Sequence, residues 1–379
     1  MKANLILLVT FLFSIVVYGQ YKVKFEVKQA AIHHSEDKIS IAGSFNNWDP
    51  SLKLNSFSTD ERGTGNYEMQ LPAGNYQYKF TRGSWDKVEC GADGKDALNR
   101  TFLLQHDTTI FISIAGWRDD FPQQAFTRKH TASPHVSIVD TEFVMPQLNR
   151  KRRIWIYLPE GYNLSRKKYP VIYMHDGQNL FDEATAGFGE WGVDEHLDSI
   201  FAKGKKQCIV VGIDNGNKRM NEYNPYYFTQ YGNGEGKLYI DFLVKTLKPY
   251  IDRHFHTLAN KENTFIAGSS MGGLISLYAV LKYPKVFGGA GIFSPAFWTA
   301  NGMDKDVKLL ASKMNSRLFF YAGGQESDSM VPDMKRIERK IKDISKSPVI
   351  EIIDPDAEHN EAAWRKYFPD FYEWVFSIP

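Results

Sequence analysis

The stretch Ile266-Ala267-Gly268-Ser269-Ser270-Met271-Gly272-Gly273-Leu274 decides the fold. It contains the pattern GxSxG, which runs from Gly268 to Gly272 with Ser270 at its centre. An apolar strand pattern precedes it and a helical pattern follows, as required by a strand-turn-helix elbow that exposes a nucleophilic serine. The two glycines leave room for the neighbouring strand and helix at such a turn. We therefore predict that Ser270 is a nucleophile, the alternative being a glycine-rich turn with an incidental serine.

A serine hydroxyl is a weak nucleophile near neutral pH, so it needs a base and a carboxylate that orients the base. In this arrangement both follow the serine, the acid first and the histidine second. His359 is the only histidine after Ser270, and it lies in a loop beyond the apolar run 349–353. We predict that His359 is the general base. The strand pattern 318–322 leads to Glu326 and Asp328, and spacing alone does not choose between them as the acid.

The negative charge that develops on a carbonyl oxygen needs two backbone N–H donors. One is expected from Met271, directly after the nucleophile, and the other from the loop that follows an earlier strand. That loop is His175 to Asp182, after the apolar run 171–174, and we predict that Gln178 supplies the second N–H. His175 precedes the serine in the chain, so we interpret it as structural.

The chain around these motifs has two kinds of pattern. Residues 21–115 consist of short alternating runs separated by turn formers, which predicts a small antiparallel β-sandwich. Residues 116–136 lose this periodicity and are interpreted as a linker. From 137 to 379, β-branched runs alternate with helical stretches, which predicts a mostly parallel sheet with helices on both faces. The strands predicted in this second part are 153–158, 169–174, 208–213, 264–267, 317–322 and 349–353, and the predicted helices are 192–202, 239–255, 273–281 and 332–344.

The composition is that of a globular protein. The chain has 379 residues, of which 43% are hydrophobic and 24% charged, so disorder, collagen and coiled coil are excluded and two domains are expected. A formal charge of +2 gives no excess of positive charge of the kind that binds nucleic acid or an anionic membrane. The basic run 150–153 is interpreted as a solvated strand edge. Cys90 and Cys208 fall in different predicted domains, so we expect buried thiols and no disulfide. No metal or organic cofactor is implied.

The N-terminus has the pattern of a secretory signal peptide in residues 1–19. Lys2 precedes an apolar run from Leu5 to Val17, and cleavage is predicted after Gly19. This run of thirteen residues is too short to cross a bilayer, which needs about 20 residues as a helix. No cysteine comes directly after the apolar run, so a lipid would have no attachment site there. We therefore expect a secreted or periplasmic protein without a stable membrane anchor.

The segment from about 137 to the C-terminus resembles the putative esterase family of α/β hydrolases, which includes feruloyl and acetyl xylan esterases of carbohydrate esterase family 1 and enterochelin esterases. By this resemblance the acid aligns with Glu326, where relatives often carry Asp, and the base with His359. Asp328 remains the alternative acid. The resemblance rests on RRIWIYLPEGY (152–162), YMHDGQNLFD (173–182), GIDNGNKRMNEY (212–223), AGSSMGG (267–273) and SPAFW (294–298).

The first domain contains the stretches IAGSFNNW (41–48), GNYQYKF (74–80) and GSW (83–85). In these stretches it resembles the glycogen-binding module of AMP-activated kinase β subunits and of carbohydrate-binding family 48. The resemblance implies that Trp48 and Trp85 stack on sugar faces while Lys79 and Asn99 bind hydroxyls. The alternative is that these aromatic residues belong to the sandwich core and bind no sugar.

Together these patterns predict a serine esterase that hydrolyses acetyl or feruloyl esters of polysaccharides or oligosaccharides. A siderophore esterase of the enterochelin type and a catalytically silent glycan-binding protein are the alternatives. Some aromatic residues near the predicted loops are expected to line a cleft for a sugar ring or a hydroxycinnamoyl group, the candidates being Phe181, Trp191, Tyr223, Tyr226, Trp298 and Trp364.

Overall fold

The computed structural model describes residues 20–30, 36–46, 48–95, 97–121, 129–229 and 231–377. The chain divides into two compact units between residues 126 and 127. The predicted signal peptide, 1–19, lies outside the described residues.

The first unit is all β in the part of the chain that is described, as predicted. Its strands form sheets with the orders β4-β1-β8, β3-β2-β5-β7 and β6-β9. Alternate residues of the first strand, including Phe25, point into a core with Tyr78 and Phe80. The strands are β1 (Gln20–Gln29), β2 (Ile39–Gly43), β3 (Ser56–Phe57), β4 (Gly65–Pro72), β5 (Gly74–Thr81), β6 (Glu89–Cys90), β7 (Arg100–Leu104), β8 (Thr108–Ser113) and β9 (Gly116–Trp117).

The prediction that every strand pair of the sandwich is antiparallel was wrong for one pair. β1 pairs antiparallel with β4 but parallel with β8, because β8 reaches this sheet after the chain has passed through the other one. β9 also lies beyond residue 115, the predicted end of the sandwich. It pairs with β6, and Trp117 is buried in the sandwich core.

The second unit contains an eight-stranded mixed sheet with the order β10-β11-β13-β12-β14-β15-β16-β17. β11 pairs antiparallel with both neighbours, and the strands from β13 to β17 are parallel. The carboxyl ends of the parallel strands therefore meet at one edge, where functional loops gather. The strands are β10 (Val136–Met145), β11 (Arg150–Tyr157), β12 (Val171–His175), β13 (Ile209–Ile213), β14 (Thr264–Ser269), β15 (Gly289–Phe293), β16 (Arg317–Gly323) and β17 (Val349–Asp354).

Helices cover both faces of this sheet, which confirms the predicted α/β architecture. Alternate residues of β12 belong to different cores: Val171 and Tyr173 face one side, Ile172 and Met174 the other. Helices α1 and α8 pack in the second core, and α3 to α7 in the first. The helices are α1 (Val193–Ala202), α2 (Arg219–Glu222), α3 (Gly236–Phe242), α4 (Lys248–His254), α5 (Met271–Lys282), α6 (Met303–Leu310), α7 (Met330–Ile344) and α8 (Glu361–Phe376), with a π-helical turn at Leu243–Leu247.

Two further features of the second unit differ from the sequence interpretation. The basic run 150–153 is not a solvated edge, since β10 covers that side of β11 and Arg152 is buried in a bidentate ion pair with Glu222. Residues 129–135, inside the predicted linker, are hydrogen-bonded to the second unit. The Thr131 N–H donates to Asp182 Oδ1 at 3.1 Å, and the Ser133 N–H donates to Asp194 Oδ2 at 2.6 Å.

Candidate active site

Ser270 occupies the turn between β14 and α5 with φ 57° and ψ −118°, a conformation that non-glycine residues rarely adopt. Its backbone is fixed on both sides. The N–H donates to the Phe293 carbonyl at 2.9 Å, and the carbonyl accepts from the Ala296 N–H at 3.1 Å. A Cβ at Gly268 would lie 3.1 Å from the Gly272 backbone, so the two glycines allow the strand and helix to approach. The elbow thus presents the serine at the carboxyl edge of the sheet.

His359 and Glu326 are in contact in the loops after β17 and β16. The distance between His359 Nδ1 and Glu326 Oε2 is 2.7 Å. The Glu326 side chain is 1% exposed, whereas the imidazole remains 35% exposed. Asp328 lies two residues further along the same loop and is exposed. The geometry therefore favours Glu326 over Asp328 as the carboxylate that orients the imidazole.

The other oxygen of Glu326 is held by two donors that sequence reasoning missed. The Ser294 hydroxyl donates to Glu326 Oε1 at 2.6 Å, and the Gly323 N–H donates to the same oxygen at 2.6 Å. The Trp364 indole N–H in turn donates to the Ser294 hydroxyl at 2.9 Å. The Trp364 ring also packs edge-on against His359, with centroids 5.0 Å apart. Ser294 and Trp364 therefore hold the Glu326 carboxylate in place, and the Trp364 ring also packs against the imidazole.

The predicted oxyanion loop begins with a left-handed residue, Asp176 at φ 58°, followed by a 3₁₀ turn over Gly177–Asn179. A Cβ at Gly177 would lie 2.9 Å from the Gly212 backbone, so only glycine allows this close approach. The side-chain oxygen of Gln178 accepts from the Asn215 N–H at 3.1 Å, which fixes the turn. The Met271 N–H is at the first position of α5, where a helical N–H has no partner within its own helix.

A partly buried ion pair links the predicted oxyanion loop to α2. Arg219 donates to Asp176 Oδ1 from Nε at 2.8 Å and to Oδ2 from a terminal nitrogen at 2.8 Å. Burial raises the pKa of Asp176, but the charge and hydrogen bonds of Arg219 outweigh it, and the pKa is lowered overall. Both residues lie within the motifs quoted for the family resemblance, yet spacing gave no indication that they pair.

Glu361, the first residue of α8, is a buried carboxyl group beside this ion pair. The Asn179 side-chain amide donates to Glu361 Oε1 at 3.4 Å. Burial raises the pKa of Glu361 to about 7. An unfolded glutamate ionises near pH 4.5, so the native state holds this proton more tightly than the unfolded state does between those values. The free energy of unfolding therefore falls as pH rises across that interval.

His175 is structural, as its chain position indicated. It is buried at the end of β12, and its Nδ1 lies 2.9 Å from the Tyr239 hydroxyl. Burial lowers the pKa of His175 to about 3, so the ring stays neutral at ordinary pH.

The six aromatic candidates lie in different environments. Phe181, Trp191 and Tyr223 are buried core residues. The Tyr226 hydroxyl donates to Asp306 Oδ2 at 2.7 Å, and the Trp364 indole N–H donates to the Ser294 hydroxyl. Trp298 is the one of these six with a half-exposed side chain.

In the first unit, the four predicted sugar-binding residues come from three places: Trp48 follows β2, Lys79 lies on β5 with Trp85 in the 3₁₀ turn after it, and Asn99 directly precedes β7. The rings of Trp48 and Trp85 are 6.3 Å apart at 37°, and Trp85 is 43% exposed. Lys79 donates to the Ala97 carbonyl at 2.6 Å, and the Asn99 amide donates to Gln77 Oε1 at 3.1 Å. Neither tryptophan belongs to the described core of the sandwich. The pair therefore forms a surface with apolar ring faces.

Comparison with known families assigns the second unit. The sequence pattern of the family described as "Putative esterase" matches residues 145–372. The chain belongs to this family. The protein is thus an esterase, with an N-terminal module of the family described as "Glycogen recognition site of AMP-activated protein kinase", which matches residues 31–89.

Two curated relatives of this esterase are informative. "Uncharacterized protein YbbA" of Bacillus subtilis (strain 168) is 27% identical over 242 residues, which are 59% of this chain and 92% of YbbA. An "Endo-1,4-beta-xylanase/feruloyl esterase" of Xylanibacter ruminicola is 28% identical over 164 residues, which are 42% of this chain and 22% of that protein.

Solved structures share the fold of the esterase at low sequence identity. The BES protein from Bacillus cereus has a TM-score of 0.55 and 16% identity, and the match covers 66% of this chain and 98% of BES. The enterobactin esterase FES from Shigella flexneri has a TM-score of 0.52 and 15% identity, over 94% of this chain and 93% of FES. Within the described residues of the esterase, no helix is both long and apolar enough to cross a membrane.

Proposed function

We propose that the protein is a secreted serine esterase that removes acetyl or feruloyl groups from polysaccharides or oligosaccharides through an acyl-enzyme. The observation that carries the catalytic part is the contact between His359 Nδ1 and Glu326 Oε2, 2.7 Å, at the sheet edge where the elbow presents Ser270. The second nitrogen of the imidazole is then available to the serine hydroxyl. Glu326 fixes the tautomer and stabilises the imidazolium that forms.

The reaction proceeds in two steps. Ser270 Oγ attacks the ester carbonyl carbon while His359 takes the hydroxyl proton, and the Met271 and Gln178 N–H groups stabilise the oxyanion. Collapse of the tetrahedral intermediate breaks the bond to the alcohol, which leaves with the proton from His359. Water, deprotonated by His359, attacks the acyl-enzyme and releases the carboxylic acid, which restores Ser270.

The glycan part of the proposal is supported by the N-terminal module. The description of the module's family names a glycogen recognition site. The rings of Trp48 and Trp85 offer apolar faces on which the CH side of a pyranose can stack. A carbohydrate-binding module raises the effective concentration of the catalytic unit at a glycan surface. The feruloyl esterase named among the relatives agrees with this substrate class.

The test is a comparison of kcat/KM on four substrates: an acetylated xylo-oligosaccharide, a feruloylated arabinoxylo-oligosaccharide, enterobactin and p-nitrophenyl butyrate. The proposal predicts that one of the two glycan esters gives the highest value. Preference for enterobactin would replace the substrate class with a siderophore triester. Failure to hydrolyse any of the four, or p-nitrophenyl acetate, would favour a silent glycan-binding protein.

A further inference from the structure

Three aromatic side chains form a surface cluster at the carboxyl edge of the sheet, called here the aromatic platform: Phe228, Tyr231 and Trp298. The rings of Phe228 and Tyr231 are stacked with centroids 6.0 Å apart, and Trp298 meets Phe228 edge-on at 5.7 Å. The Trp298 side chain is 50% exposed. Single exposed apolar residues are ordinary, but a contiguous group of large aromatic rings at a surface indicates a binding site.

The platform lies close to the nucleophile. Trp298 sits in the 3₁₀ turn Phe297–Thr299, two residues after Ala296, whose N–H donates to the Ser270 carbonyl at 3.1 Å. Two residues of chain span at most about 7 Å between Cα atoms. The turn that carries Trp298 therefore adjoins the elbow that carries Ser270.

Hydrogen bonds within the protein hold the platform in place. The Asn224 amide donates to the Thr299 carbonyl at 3.0 Å, which joins the loop of Phe228 to the turn of Trp298. The Asn221 amide donates to the Tyr231 carbonyl at 2.6 Å. Phe228 and Gly232 exchange backbone hydrogen bonds of 2.9 and 2.7 Å, which close the loop. A surface ordered beforehand loses little conformational entropy on binding.

We infer that the aromatic platform binds the glycan chain of the substrate by stacking pyranose rings on Trp298 and Phe228. This inference rests on the proposed function and deepens it by assigning the subsite. An open surface leaves the sugar hydroxyls in water while the apolar CH face is covered by a ring. An acyl group would need an enclosed pocket to bury its surface. The exposure of Trp298 therefore favours the alcohol part of the ester.

The experiment compares the parent protein with Trp298→Ala and with the double variant Phe228→Ala, Tyr231→Ala. The readout is the ratio of kcat/KM for an acetylated xylo-oligosaccharide to kcat/KM for p-nitrophenyl acetate. We expect the ratio to fall about tenfold in each variant, equivalent to 1.4 kcal/mol of binding, mainly through KM. Trp298→Tyr keeps a ring and is expected to restore most of the ratio. Phe111→Ala, which removes an exposed ring from β8, is the control and leaves both rates unchanged.

A second measurement uses a ligand that is not turned over. Xylohexaose is expected to inhibit p-nitrophenyl acetate hydrolysis competitively, with an inhibition constant at least fivefold higher in Trp298→Ala. Because Trp298 is not one of the predicted sugar-binding residues of the N-terminal module, a change in the inhibition constant on its removal assigns the inhibition to the platform.

Three outcomes overturn the inference. A ratio within twofold of the parent in both platform variants, with the parent active on the glycan ester, overturns the subsite and leaves the proposed function intact. An equal loss on methyl ferulate, which has no sugar, assigns the platform to the acyl group instead. A parent that hydrolyses p-nitrophenyl acetate but no glycan ester overturns the proposed function and the subsite together.

Discussion

The hydrogen bonds around Glu326 make Ser294→Ala the most informative single change in the active site. The Ser294 hydroxyl donates to Glu326 Oε1 at 2.6 Å and accepts from Trp364 Nε1 at 2.9 Å, and Ser294 is fully buried. A hydrogen bond to a charged group contributes about 1.5 to 3 kcal/mol, and a buried donor left unsatisfied costs about 1 to 3 kcal/mol. We therefore expect Ser294→Ala to lower the free energy of unfolding by about 3 to 5 kcal/mol.

The effect of Ser294→Ala on turnover should be smaller than its effect on stability. Glu326 keeps the Gly323 N–H and the imidazole as partners, so the carboxylate remains near its position. A loss of about tenfold in kcat is expected, which corresponds to about 1.4 kcal/mol in the barrier. Trp364→Phe is the matched control because it removes one N–H and leaves the serine able to donate to Glu326. It should cost about 1 kcal/mol of stability at this hydrogen bond.

The assay is urea denaturation of both variants, followed by initial rates on p-nitrophenyl acetate under conditions where each is folded. If the unfolding free energy of Ser294→Ala lies within about 0.5 kcal/mol of the parent value, the account of the Glu326 contacts is refuted. A stability change that small is typical of an ordinary surface substitution.

Three further predictions concern the acid, the pH dependence and the N-terminal module. Glu326→Gln should lower kcat on p-nitrophenyl acetate by about 10³ to 10⁴-fold and Asp328→Asn by less than threefold, because the Glu326 carboxylate contacts the imidazole. The reverse ranking would transfer the role to Asp328. The raised pKa of Glu361 should make the unfolding free energy of the parent fall by up to about 3 kcal/mol between pH 4.5 and pH 7. Glu361→Gln should remove this fall. A pH profile of urea denaturation that is the same in Glu361→Gln and in the parent would contradict this. Replacing Trp48 and Trp85 with Ala should weaken retention on insoluble starch or xylan at least fivefold, with the p-nitrophenyl acetate rate as the check on the second unit; a stability loss of about 3 to 5 kcal/mol would instead assign the rings to the core.

The sequence predicted those parts of the site that depend on local pattern and chain order. The elbow around Ser270 is encoded by glycines at fixed offsets between a strand pattern and a helical pattern, and the structure has a strand, an elbow turn and a helix there. His359 followed from chain order, and the structure brings it to Glu326. Spacing could not decide whether Glu326 or Asp328 contacts the histidine. Both carboxylates lie in one loop, and the direction in which each side chain points depends on the conformation of that loop.

The contacts that support the site had no sequence signature. Ser294 is 32 positions from Glu326 and 70 from Trp364, and Arg219 is 43 positions from Asp176, so each pair is brought together only by the sheet order. β15 was missed for a different reason. Its Gly289 and Gly291 have low strand propensity, yet a Cβ at Gly291 would lie 2.9 Å from Ala267 and from Phe371, so packing against a neighbouring strand and α8 requires glycine there.

The central claim, that Ser270 is the nucleophile of a serine esterase, is tested most directly by the steady-state rate of Ser270→Ala on p-nitrophenyl acetate. The elbow conformation tolerates alanine no worse than serine, so the variant should fold and unfold in urea like the parent. The account predicts a loss of at least about 10³-fold in kcat. A folded Ser270→Ala protein with kcat within about tenfold of the parent would contradict it.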